Sequence, residues 1–131
     1  MAQRDFINNS LHNQVIEETV QHLNSTDYDI YTNPGEAKNA GVNNNFPDII
    51  MTEKGTNTVK FIIEVETEDT INIEEATSQW GKYSREISAT FYLLIPQKSK
   101  NYAQALCNQV GISVRFATFS VNNSRLTINF E

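Results

Sequence analysis

The chain has 131 residues and a mass of 14.9 kDa, with 39% hydrophobic and 20% charged residues. This describes one domain with a core of its own and excludes a disordered chain. Sixteen acidic against ten basic residues give a net charge of −6, which disfavours coating nucleic acid through the protein's own field. One cysteine, Cys107, and two histidines exclude a disulfide framework and a Cys-rich zinc site.

Leu11, Val15, Glu18/Thr19 and His22 recur at helical spacing, and Phe6, Ile7, Ile16, Val20 and Leu23 widen the stripe, so the first element is a helix. A short strand, Tyr28 to Thr32, follows. The stretch from Thr32 to Asn45, with its Asn-Pro-Gly and Ala-Gly dipeptides, reads as a long loop covering something functional. Pro47 to Thr52 reads as a strand, Glu53 to Asn57 as a hairpin loop, and Thr58 to Glu66 as the returning strand. On that strand Val59, Phe61, Ile63 and Val65 share one face, and Lys60, Ile62, Glu64 and Glu66 the other.

A second helix starts at the cap Asn72, with Glu75 three residues on, and carries Ile73, Ala76, Trp80, Tyr83 and Ile87. Ser88 to Ile95 is an apolar strand stopped by Pro96. A third helix, about Ser99 to Val110, ends at Gly111. Ile112 to Val121 and Leu126 to Phe130 close the chain as a hairpin. The order α-β-β-β-α-β-α-β-β predicts an α/β fold, residues 1–131 forming a single domain around one mixed sheet. No apolar run approaches the ~20 residues of a membrane helix. The start lacks the apolar stretch of a secretory signal, so the expected compartment is the cytoplasm.

Three carboxylates converge in this reading. Glu64 and Glu66 lie two apart on one strand and point the same way. A hairpin turning near Gly55 sets Asp48 opposite residues 62 to 64, about 5 to 8 Å from Glu64 at Cβ. Acids so close repel unless a cation joins them, and hard oxygen ligands suit Mg²⁺ or Mn²⁺. A solvated acidic strand end is the alternative.

Pro47-Asp48 followed by Glu64-Val65-Glu66 resembles the signature of the PD-(D/E)xK nuclease superfamily, and Gln79-Trp80-Gly81-Lys82-Tyr83 resembles the QxxxY motif of its RecB-like members. The αβββαβ order is similar to that superfamily's core, the restriction endonuclease-like mixed sheet flanked by helices. The resemblance implies that Asp48, Glu64 and the Val65 carbonyl hold the metal, and that Gln79 and Tyr83 line the site. It offers Glu17 or Glu18, on the first helix, as accessory acids. The chain departs from the pattern at Glu66, where the signature has Lys. Some restriction-type members carry Glu there, and Lys82, Lys38 and Lys60 are candidate replacements, none squarely placed.

Other polar residues read quietly. His12 and His22, ten apart, are expected at the surface or satisfied by neighbours. Trp80 and Cys107 are expected in the core, and Lys98 and Lys100 at a solvated helix start. The function implied is metal-dependent hydrolysis of a phosphodiester in DNA or RNA, with a homodimer or a partner protein supplying recognition. The alternatives are a catalytically inactive member serving as a nucleic-acid or protein interaction module, and an acidic subunit without a site.

Overall fold

Asp5 sets the first helix: its carboxylate accepts from the Asn8 amide at 2.8 Å, and α1 (Phe6–His22) follows. The computed structural model describes residues 4–23 and 26–131. His12, Val15, Ile16 and Thr19 form the buried side of α1. Phe6 and Ile7 do not join that stripe; they are 86% and 78% exposed.

Six strands follow: β1 (Tyr28–Thr32), β2 (Ile49–Glu53), β3 (Val59–Val65), β4 (Thr90–Pro96), β5 (Arg115–Asn122) and β6 (Arg125–Phe130). They form one mixed sheet in the order β1-β2-β3-β4-β5-β6. The pairs β3–β4 and β4–β5 are parallel and the others antiparallel. The β2–β3 ladder pairs Ile49 with Ile63 and Ile50 with Ile62, then shifts register between Met51 and Thr52. The parallel pairs need crossovers. The first is α2, a helix over residues 73–86, whose ends Ile73–Glu75 and Gly81–Glu86 are α-helical and whose middle, Ala76–Trp80, is π-helical. The second is α3 (Lys100–Val110), capped by Gly111 at φ 75.

Alternation along the strands builds two cores. Ile49, Met51, Ile63, Val65, Leu94 and Phe119 pack with Val15 and Ile16 of α1. Ile50, Ile62, Leu93 and Ile95 pack with Trp80 and Tyr83 of α2 and Ala103, Leu106 and Cys107 of α3. The fold is therefore α/β, with helices on both faces of a six-stranded mixed sheet. The expected β4 and β5 each start two or three residues late, since residues around Ser88 and Ile112–Val114 finish the helix exits. Ile73 is 40% exposed rather than part of the apolar stripe, because the wider π turn shifts the phase of everything before it. The last hairpin turns on Asn123 and Ser124, both at positive φ, as two-residue turns that match strand twist require. No helix among the described residues is long and apolar enough to cross a membrane.

Candidate functional site

The β2–β3 register carries on one step past Ile49–Ile63, which sets Asp48 against Glu64. Two bonds across the strands hold the pair in place. Asp48 Oδ2 accepts from the Val65 amide at 2.7 Å, and Glu64 Oε1 accepts from the Asp48 amide at 3.1 Å. Both carboxylates are buried. Each is thus oriented by a backbone donor, and each keeps an oxygen that this pairing does not use.

A third group comes from α1. His12 is fully buried, and its Nε2 lies 3.0 Å from Asp48 Oδ2, out of line for a hydrogen bond. Its Nδ1 lies 3.1 Å from Asn13 Oδ1, which also accepts from the Gly35 amide. An amide oxygen only accepts, so Nδ1 carries the hydrogen. His12 is not at the surface: it is a buried residue of the site, with Nδ1 bonded to its neighbour Asn13 and Nε2 beside Asp48.

Glu66 is placed differently. Its Oε1 accepts from Arg4 Nη2 at 3.1 Å and from Thr70 Oγ1 at 2.7 Å, and its Oε2 accepts from the Trp80 indole at 2.6 Å. Arg4 also donates from Nη2 to the Val65 carbonyl at 2.8 Å and from Nε to Thr67 Oγ1 at 3.1 Å. Glu66 is therefore a buried anchor with both oxygens engaged, and the Val65 carbonyl, expected to face a metal, is held by a guanidinium. Glu75 completes a buried trio, with one carboxylate oxygen each of Glu64, Glu66 and Glu75 within 4.8 Å of one another. Burial first, then the charges of Asp48 and Glu66, pushes the Glu64 carboxyl well above the ordinary range. Glu66 is pushed up by burial and then by Glu75, with Arg4, Trp80 and Thr70 opposing.

The π turn aims neighbouring residues in different directions. Trp80 enters the core and reaches Glu66, while Gln79 and Tyr83 line a cleft of about 420 Å³ together with Asp48 and Glu64. Gln79 Nε2 donates to the Tyr83 hydroxyl at 3.0 Å. Burial and the nearby carboxylates push the Tyr83 phenol up, so its O–H remains a donor. Lys38, Lys82 and Arg4 also border the cleft. Glu17 and Glu18 do not: both are exposed, on the side of α1 opposite His12, Val15 and Thr19. Lys60 is exposed at the far end of β3.

Residues 33–46 roof the cleft. Asn33 organises them with all four of its side-chain bonds, donating to the Ala40 and Pro47 carbonyls and accepting from the Asn39 and Ala40 amides, at 2.7 to 2.9 Å. Asn33→Ala leaves those backbone groups without partners, at about 1–3 kcal/mol each where they stay buried. A melting temperature lower by several degrees is expected, read by circular dichroism, with the larger loss of order in residues 33–46.

The remaining expectations settle simply. Cys107 is buried, and burial pushes its thiol up to about 11. His22 stacks on Phe130 at 6.0 Å. Lys98 pairs with Glu68 and Lys100 with Glu131. Sequence reasoning missed His12, Arg4, Glu75 and Asn33 as parts of the site. For Asn33 alone was there a signal, its position at the mouth of a long Asn-rich loop. Compared with known protein families, characterised proteins and solved structures, the chain matches none of them.

Proposed function

We propose that the chain is a divalent-metal-dependent phosphodiesterase of the PD-(D/E)xK type, with a restriction endonuclease-like core, acting on DNA or RNA. The observation that carries this reading is the cross-strand juxtaposition of Asp48 and Glu64, each held by a backbone amide, in a cleft also lined by Gln79 and Tyr83. The donor set fits the cation. Two buried carboxylates with oxygens to spare suit Mg²⁺ or Mn²⁺. A divalent ion held there supplies charge to a phosphodiester oxygen and acidifies a bound water.

The chain's own residues do the rest. The backbone amides of Asp48 and Val65 fix the two carboxylates. The Tyr83 hydroxyl, accepting from Gln79, offers a hydrogen to a phosphate oxygen. Lys38 and Lys82 at the rim attract a polyanion to an otherwise acidic protein. Arg4 supplies the fixed positive charge nearest to the carboxylates, from a part of the chain remote from position 66.

One observation favours the second reading, an inactive member serving as an interaction module: Glu66, at the position of the motif's Lys, is tied down by Arg4, Thr70 and Trp80. Cleavage assays separate the two. With Mn²⁺ or Mg²⁺, the wild-type protein is expected to cut labelled DNA or RNA oligonucleotides. Asp48→Ala and Glu64→Ala should each lose at least about 100-fold, since even outer partners of metal ligands cost about 10–100-fold. No cleavage of any substrate by wild-type protein rejects the enzyme, and retained nucleic-acid binding in that case selects the module.

A further inference from the structure

The roof over the cleft bears on the substrate. Residues 33–46 are strapped down at both sides. The Gly35 amide donates to Asn13 of α1 at 2.9 Å, and Asn43 Nδ2 and Asn45 Nδ2 donate to the carbonyl and Oε1 of Glu86, at the end of α2, at 2.7 and 3.1 Å. Below this strap the cleft holds about 420 Å³, the size of a small-molecule pocket rather than of a groove for a double helix. Asp48 and Glu64 at its floor are only 7% and 4% exposed.

A duplex is a stiff rod that carries its phosphates on the outside. To bring one phosphodiester down to these carboxylates it must unpair and unstack nucleotides at the cleft. An unpaired strand enters without that cost. We infer that the cleft takes single-stranded nucleic acid, one nucleotide at a time under the strap, in preference to duplex; this rests on the phosphodiesterase reading above for what happens to the bound strand.

The lining has the chemistry of a single-strand site, which pairs cations for the backbone with an aromatic face for the bases. Phe46 borders the cleft, and Lys38 Nζ sits 5.4 Å from its ring centroid. A base stacking on Phe46 displaces that ammonium and releases it to a neighbouring phosphate. Gly41 lets the ring seat, since a Cβ there would lie 2.8 Å from a Phe46 ring carbon. The Asn45 amide is held in one orientation by its two donor bonds, to the Asn43 carbonyl at 3.2 Å and to Glu86, while its buried Oδ1 has no partner among the described residues.

Fluorescently labelled oligonucleotides of one sequence, as an unpaired strand, a blunt duplex and a duplex with an unpaired flap, test this. Binding is read by anisotropy in Ca²⁺ and cleavage by gel in Mn²⁺. The unpaired strand is expected to bind and be cut about tenfold or more better than the duplex, and the flapped duplex to be cut within its flap. A duplex bound or cut as well as the unpaired strand overturns the inference. If nothing is cut, the phosphodiesterase reading fails, and the Ca²⁺ arm still decides: preferential binding of the unpaired strand upholds the inference, and equal or absent binding overturns it. Asn43→Gly keeps the positive φ of 50 that the loop uses there but removes one tie to Glu86. It is expected to narrow the single-strand preference severalfold, and an unchanged preference rejects the strap as its origin.

Discussion

Glu64→Gln is expected to raise the melting temperature at neutral pH in chelator, and to abolish stabilisation by Mn²⁺. Glu64 is buried beside Asp48 and Glu66, and both burial and those charges push its carboxyl up. A carboxyl raised in the folded state binds more protons there than in the unfolded chain. Stability is then complete below the unfolded-chain value and is lost as pH rises through the folded-state value. Glu66 is raised as well and adds with the same sign. Wild-type protein in chelator should therefore lose stability from mildly acidic to neutral pH, and the amide, which cannot ionise, should flatten that slope. Glutamine keeps the oxygen that accepts from the Asp48 amide, so the change removes charge without removing the tie. Mn²⁺ is expected to act oppositely on the wild type. A ligand that binds only the folded state adds about 2.7 kcal/mol at a hundredfold excess over Kd, roughly 10 °C for a chain of this length. Melts across the acidic to neutral range, with and without Mn²⁺, check both signs. A variant less stable than wild type at every pH would show that the carboxylate holds the fold rather than straining it.

Trp80→Ala is expected to cost most of the protein's stability. Trp80 is 0% exposed and packs among Ile50, Ile62, Ala76 and Leu93. Removing a buried indole of this kind costs about 3–5 kcal/mol. The lost N–H also leaves Glu66 Oε2 buried without its donor, which adds about 1–3 kcal/mol. Domains have only about 5–15 kcal/mol in all. Trp80→Phe keeps an aromatic ring but deletes the donor together with the volume of the second ring. It should lose the donor's share, about 1–3 kcal/mol, plus a packing loss for the space left, yet less than Trp80→Ala, in urea denaturation followed by circular dichroism. Trp80 is the only tryptophan, so fluorescence would not report on these variants. A phenylalanine variant as stable as wild type would mean that the indole bond contributes no net stability.

The parts of the site legible in the sequence are those that local rules position. A hairpin of countable length places Asp48 against Glu64. Period two sends Glu64 and Glu66 to one face, and a four-residue helical step brings Gln79 and Tyr83 together. The rest depends on how distant elements cross. His12 reaches Asp48 through the packing of α1 beside the start of β2, and no periodicity in residues 6–22 encodes that. Arg4 lies before the first helix, where nothing repeats, yet it makes three bonds to residues more than 60 positions away. Glu75 reads as a residue of a helix start, and its amide does donate to Asn72; its carboxylate is buried beside Glu64 and Glu66. The π turn is silent in the sequence, since no residue type demands it, and it is why Ile73 faces outward against expectation.

Because the strands lie in space in the order in which they occur in the chain, the sheet can grow by adding each new strand to the edge left by the last. The groups that cover the carboxylates of β3, Trp80 and Glu75, belong to the crossover and not to the hairpin, so these carboxylates are expected to lose their water only when α2 docks. The electrostatic cost of the site therefore falls late, on the docking of α2. Interactions formed after the rate-limiting barrier alter the escape rate rather than the arrival rate. If a cation is held among these acids, it is accordingly expected to lengthen the lifetime of the native state and to leave the speed of folding nearly unchanged.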